Sequence, residues 1–287
     1  MGDYMAVYNI YGNQLATVYD IDGTLLPAAY DINGDEIISG GQKRIKVMTY
    51  NVQWFSKINS QQSMQNLIIS KYNPNIIGFQ EFTKTTTIPT VGQNMLIDYP
   101  YKQLSAHVNY MGIASKIAIN DATSVDYTTQ DTAAETERRA YQKCYIMVGG
   151  KRVAWFNTHL CYANSAPKYA QITELFNAAQ QEEYFIITGD FNSVCLSASD
   201  ADYIGMYKQF VDAGCNLANN SPTAGFTKTS TPNTTAASLA DLTYTTDSII
   251  TSGNIDILSV VFDDTKLSYL DGNPIDHIPI IAEIEVN

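Results

Sequence analysis

Apolar residues recur along this chain in short bursts, and most bursts end on a polar side chain able to do chemistry. Over 43–52, Ile45, Val47 and Thr49 alternate with Lys46, Met48 and Tyr50, and the run closes on Asn51; this predicts a strand. Over 60–72, Met64, Leu67, Ile68 and Tyr72 fall at helical spacing before Asn73-Pro74 ends the helix. Residues 76–79 are a buried strand ending in Gln80-Glu81, and 110–116 begin another. Residues 139–148 and 152–160, joined by Gly149-Gly150, predict a hairpin whose second strand ends in Asn157-Thr158-His159. Over 167–180, Tyr169, Ile172, Leu175, Phe176 and Ala179 share one face of an amphipathic helix. That helix leads into an apolar run, 184–187, cut off by Thr188-Gly189 and followed at once by Asp190-Phe191-Asn192-Ser193. A further helix is expected over 200–213, Asp247 heads an apolar run within 242–251, and Asp276-His277 precedes a last strand over 278–286. The polar stretches 83–98, 121–136 and 221–241 read as loops.

The strand ends matter more than the strands. Side chains alternate along a strand, so Asp190 and Asn192 can point the same way; the carboxylate can hold a proton or a metal-bound water, and the amide can donate to an oxyanion. Asn51, Glu81, His159, Asp190 with Asn192, Asp247, and Asp276 with His277 are scattered in sequence, yet a sheet protein gathers strand ends at one rim. Each alone has an ordinary reading: Asn forms turns, Glu caps a solvated terminus, His fills a satisfied core position. Six strand ends decorated in this way point to a site.

The first 42 residues follow a different rule. Units starting at Tyr8, Tyr19 and Tyr30 repeat at a period of 11, with Asp22-Gly23 and Asn33-Gly34 as favoured hairpin dipeptides. They predict a small β-hairpin appendage over 1–42, with a catalytic domain over 43–287 beginning after the Gly40-Gly41 hinge. Asp31, Asn33 and Asp35 are spaced like part of a calcium loop, but the distal Glu and the entering helix of such a loop are missing.

Composition narrows the function. The 287 residues are 45% hydrophobic, enough for a sizeable core, and no run of about 18 apolar residues predicts a transmembrane helix. The start of the chain shows no basic region leading into an apolar stretch, so no signal peptide is expected there. A net charge of -12 argues against a static nucleic-acid binder. It does not argue against a phosphodiesterase, because a divalent cation can supply the local positive charge. Cys144, Cys161, Cys195 and Cys215 lack metal spacing and read as buried thiols, with a Cys195–Cys215 bridge as the alternative. The low charged fraction and 20 Tyr suit an extracellular protein.

Taken together, Met48-Thr-Tyr-Asn51-Val, Ile77-Gly-Phe-Gln-Glu81-Phe, Gly112-Ile-Ala-Ser-Lys116, Phe156-Asn-Thr-His159-Leu, Ile187-Thr-Gly-Asp190-Phe-Asn192-Ser, Thr246-Asp247-Ser-Ile-Ile and Asp276-His277-Ile-Pro resemble the endonuclease/exonuclease/phosphatase superfamily, in its order and across 43–287. The resemblance implies an α+β fold, a four-layer αββα sandwich of two mixed sheets. It implies that Glu81 is the principal ligand of a catalytic Mg2+ (Mn2+ and Ca2+ being alternatives), with Asn51 and Asp276 completing its surroundings. His277, oriented by Asp247, would be the general base; His159 would bind or protonate the scissile phosphate. Asp190 would position or protonate, Asn192 would hydrogen-bond a phosphoryl oxygen, and Arg139 or Arg138 would contact phosphate from the hairpin. An oxygen-rich ligand set suits a hard cation, and two imidazoles beside carboxylates supply base and acid near neutral pH. His107 falls outside the motifs. Ser248 and Ile275 depart from residues usual at those positions, which bears on the subfamily. The expected activity is metal-dependent phosphodiester hydrolysis, as a DNase I-like endonuclease on nucleic acid. The rivals are a phosphatase or phospholipase acting on inositol-phosphate or sphingolipid headgroups, and a non-catalytic binding module.

Overall fold

The computed structural model describes residues 28–30, 36–39, 42–52, 71–82, 92–93, 96–104, 110–133, 135, 138–193, 199–218, 228–229, 242–244, 246–263 and 277–287. Its strands are β1 (Ala28–Tyr30), β2 (Glu36–Ser39), β3 (Arg44–Asn51), β4 (Ile76–Gln80), β5 (Tyr101–Leu104), β6 (Gly112–Ser115), β7 (Asn120–Asp126) and β8 (Ala140–Val148). They continue as β9 (Lys151–His159), β10 (Phe185–Asp190), β11 (Asn216–Leu217), β12 (Lys228–Thr229), β13 (Leu242–Tyr244), β14 (Asp247–Thr251), β15 (Ile255–Phe262) and β16 (Ile280–Val286). Two six-stranded sheets dominate. The first runs β15-β16-β3-β4-β6-β5 and the second β11-β14-β10-β9-β8-β7. Both are mixed: β3 with β4, and β10 with β9, are parallel, and the remaining neighbours antiparallel.

Inward-facing residues of both sheets share one apolar core, including Val47, Ile76, Trp155, Ile186, Ile249 and Ile280. The alternating residues of the second sheet, Phe156 and Ile187 among them, pack outward against α1 (Ser165–Ala179) and α2 (Lys208–Asp212). Those of the first sheet, Met48, Tyr50, Ile77 and Phe79, form a third core with Tyr72, Leu96 and Tyr99. The central strands are therefore buried on both faces, and this is why 76–79 and 184–187 read as unbroken apolar runs. Two mixed sheets packed face to face are the expected sandwich. The helix expected over 60–72 lies outside the described residues except for Lys71 and Tyr72.

The hairpin closes at Gly149 and Gly150 with φ of 58° and 76°, the left-handed pair that a two-residue turn requires. Several elements differ from expectation. The stretch 121–136 is not all loop, since β7 occupies its start as an exposed edge strand beside β8; little of it is buried, so no apolar alternation marks it. Short β5 and solvent-facing β15 were likewise not foreseen. The helix of 200–213 is part π-helical over Tyr203–Tyr207 before α2. Cys144, Cys161 and Cys215 are free and buried, so the bridge to Cys215 is not formed. In the N-terminal segment, β1 and β2 pair antiparallel on either side of Asn33-Gly34; repeats one and two lie outside the described residues.

Candidate active site

At one end of the sandwich, β3, β4, β9, β10 and β14 bring their terminal polar residues together. Asn51 closes β3, Glu81 follows β4, His159 closes β9, Asp190 closes β10, Asp247 opens β14, and His277 stands before β16. The register explains the convergence: Asp190 lies opposite both His159 on one neighbour and Asp247 on the other. Asn51, His159, Asp190, Asp247 and His277 are all nearly buried. Asp276 and His107 lie outside the described residues.

Asp190 is the hub. Its Oδ2 accepts a hydrogen bond from Asn51 Nδ2 at 3.0 Å, and the same amide nitrogen donates to Glu81 Oε1 at 3.1 Å. One amide thus ties the carboxylates of the two sheets together. His159 Nε2 and His277 Nε2 each stand 3.6 Å from Asp190 Oδ2. That separation is too long for a hydrogen bond, so both ring nitrogens face the same carboxylate oxygen without bonding to it. His277 Nδ1 lies 2.8 Å from Asp247 Oδ2, which also accepts from Thr246 Oγ1 at 2.9 Å. A carboxylate only accepts, so Nδ1 carries a proton in this contact. Asn192 donates its backbone N–H to Asp190 Oδ1 at 2.8 Å and its Nδ2 to the Leu160 carbonyl at 2.9 Å. Any contact from its side-chain amide to a phosphoryl oxygen therefore uses the second amide hydrogen.

Glu81 and Asn192 both adopt left-handed backbone, with φ of 48° and 49°. Such conformations cost on the order of 1–3 kcal/mol each in residues other than glycine, and they cluster where geometry serves chemistry. The arginines expected to contact phosphate make ion pairs of their own. Arg139 is buried and donates from Nε to Glu135 Oε2 at 2.6 Å, with its guanidinium 5.7 Å from the Tyr162 ring centre. Arg138 pairs with Asp126 at 2.5 Å.

The side chains present fit a hard divalent cation. Glu81, Asp190 and Asp247 bring three carboxylates to a largely buried place, and oxygen atoms dominate the donor set. Asn51 spends its amide nitrogen on the two carboxylates, so its carbonyl oxygen is the atom it would offer. Asp190, Asp247 and His277 also place ligand atoms within 4.8 Å of one another, although the Asp247–His277 contact already has hydrogen-bond length.

Sequence reasoning missed the layer directly beneath. Thr49, Gln80, Gln142, Asn157 and Thr188 are buried polar residues, and Thr49, Asn157 and Thr188 each lie two positions before a site residue on the same strand face. Gln80 Nε2 donates to Asn157 Oδ1 at 2.7 Å across the sheets, and Thr188 Oγ1 donates to the same oxygen at 3.1 Å. Asn157 Nδ2 reaches back to the Phe79 and Gly112 carbonyls at 2.9 and 3.2 Å. Gly78 makes this approach possible, since a Cβ there would stand 2.1 Å from Thr188 Oγ1. The signal was in the sequence: polar residues at inward-facing positions of otherwise apolar strands.

The architecture has close counterparts among solved structures. An endonuclease/exonuclease/phosphatase from Beutenbergia cavernae superposes with a TM-score of 0.64 at 13% identity, covering 86% of this chain and 72% of that one. The chain has the endonuclease/exonuclease/phosphatase fold. A second such protein, from Bacteroides vulgatus, matches with a TM-score of 0.64 at 14% identity over 86% of this chain and 100% of its own. TDP2 from C. elegans matches with a TM-score of 0.63 at 16% identity over 85% and 75%. No protein-family model and no curated protein matches the chain in sequence. Among the described residues no helix is long and apolar enough to cross a membrane.

Proposed function

We propose that this protein is a metal-dependent phosphodiester hydrolase, acting on nucleic acid as a DNase I-like endonuclease. The observation that carries the reading is the pair of imidazole Nε2 atoms, each 3.6 Å from one oxygen of Asp190 and both belonging to nearly buried residues. A divalent cation, Mg2+ with Mn2+ and Ca2+ as alternatives, would be held by Glu81 with Asn51 and Asp276, and would supply positive charge against the phosphoryl oxygens. His277, its Nδ1–H fixed on Asp247, takes a proton from water at Nε2. His159, on the other side of Asp190, holds or protonates the phosphoester oxygen. Asn192 donates to a phosphoryl oxygen, and Asp190 orients the water between the rings. A protein with a net charge of -12 depends on such a cation to receive a polyanion.

The test is nicking of supercoiled plasmid by the purified chain in Mg2+. EDTA should abolish it, and His277→Ala should lower the rate by about 10²–10⁴-fold, the usual worth of a positioned base. No cleavage of DNA or RNA, with phosphate released from inositol phosphates or sphingomyelin hydrolysed, would replace the nuclease reading by the headgroup hydrolase. Inertness toward all of them would leave a binding module.

A further inference from the structure

The buried face of α1 carries two polar residues among its apolar ones, Lys168 and Gln171. Lys168 is 4% exposed, so its ammonium is held away from bulk water. Its Nζ donates to the backbone carbonyl of Asn192 at 2.8 Å and to Asp202 Oδ2 at 3.1 Å. The other Asp202 oxygen accepts from the Tyr169 hydroxyl at 2.8 Å. Gln171, one turn on, accepts the Cys161 N–H at 2.8 Å and donates to the Thr129 carbonyl at 2.9 Å. A single turn of helix therefore grips both segments that leave the second sheet at the site, the one after His159 and the one after Asp190.

The grip on Asn192 reaches the hub. Asn192 has a left-handed backbone at φ 49°, a conformation that Asn tolerates better than most L residues and that its contacts hold in place. Its N–H occupies Asp190 Oδ1, its side chain is on the Leu160 carbonyl, and its own carbonyl is on Lys168. With Oδ1 engaged, Asp190 turns Oδ2 toward Asn51, His159 and His277. A buried ion pair is seldom the most stabilising way to fill such a space, because desolvation offsets most of the attraction.

We infer that Lys168 is a positioning residue: its ammonium, neutralised by Asp202, clamps the Asn192 carbonyl and so sets the orientation of the Asp190 carboxylate between the two imidazoles. The chemical consequence rests on the phosphodiesterase reading above; the clamp itself does not.

Two measurements on the full chain separate these. Hydrogen exchange at the Asn192 amide, followed by NMR, should accelerate by about tenfold or more in Lys168→Met, as expected when a local opening becomes easier. In the same variant kcat on a phosphodiester substrate with Mg2+ should fall by about 10- to 100-fold with KM nearly unchanged, the scale of a displaced reacting group. Lys168→Arg, which keeps the charge and the donor, should restore much of both. Should Lys168→Met fail to fold, Lys168→Met with Asp202→Leu removes the whole pair and leaves no uncompensated charge; it should melt near the wild type and show the same two changes. Unchanged exchange at Asn192 in a folded variant overturns the clamp. Faster exchange with full kcat overturns its role in positioning. A wild type inactive on every phosphodiester overturns the functional reading instead, while the exchange measurement still decides the clamp.

Discussion

The space between the two sheets is lined in two ways. Toward the far end, Val47, Ile76, Trp155, Ile186, Ile249 and Ile280 meet as an apolar core. Under the site, Thr49, Gln80, Gln142, Asn157 and Thr188 meet through hydrogen bonds of 2.7 to 3.4 Å. Apolar burial stabilises strongly but has no direction, so alone it would let one sheet settle against the other in several ways. The polar layer is directional and fixes one of them. That fixity is needed where Asn51, from the first sheet, must meet Asp190, from the second, at 3.0 Å while also holding Glu81.

Asn157→Leu should break the contrast most severely. It takes the nearest acceptor from the buried Gln80 amide and the Asn157 donor from the Phe79 and Gly112 carbonyls, and should cost about 3–5 kcal/mol, read from chemical denaturation. A loss no larger than that of Ile186→Val in the apolar part, about 0.5–1.5 kcal/mol, would show that the polar layer specifies nothing.

Titration sharpens the same contrast. The polar layer holds no ionisable group, so its contribution should be flat with pH. The second sheet's other buried polar cluster behaves differently. Burial alone would push the Glu135 carboxyl up, but the Cys161 thiol, the Ala163 N–H and the Arg139 guanidinium outweigh it and hold it below its ordinary 4.5. A depressed carboxylate contributes stability above its unfolded pKa and loses it as pH falls through the folded one. The melting difference between wild type and Glu135→Gln should therefore be full at pH 6 and shrink below pH 4.5. A difference constant down to pH 3 would refute the linkage.

The smallest effect is expected at Ser248, whose buried hydroxyl has no partner among the described residues. It faces away from the polar layer, as its outward-packing neighbour Ile250 does. Ser248→Ala should be neutral or stabilising by up to about 1 kcal/mol, since no bond is lost. A clear destabilisation would mean that the hydroxyl is bonded after all.

How legible all this was depends on burial. Central β4 and β10 announced themselves because both faces are apolar, and Gly149-Gly150 announced the hairpin because glycine accepts the positive φ that turn needs at both positions. Edge strand β7 was read as loop because it buries almost nothing, and β15 was passed over for the same reason. In the site, the residues with reactive side chains at strand ends were readable, whereas their supports were not. Lys168 sits in a helix whose apolar spacing says only that a face is buried; which loop its ammonium would reach depends on packing between α1 and the turn after β10. Arg139 illustrates the converse: the hairpin position was readable, but its Nε goes to Glu135, a partner four residues earlier in a stretch read as loop.

The first sheet is stitched from both ends of the 43–287 region, with β16 paired directly to β3. Synthesis proceeds from the N-terminus, and β14, the last strand of the second sheet, ends at Thr251. Every strand of that sheet can therefore leave the ribosome while β3 still waits for a neighbour. Until the residues from His277 to Val286 emerge, His277 is missing from the cluster and Asn51 lies on an unfinished edge. The candidate site therefore comes together only once β16 has paired with β3, after every strand of the second sheet is already available.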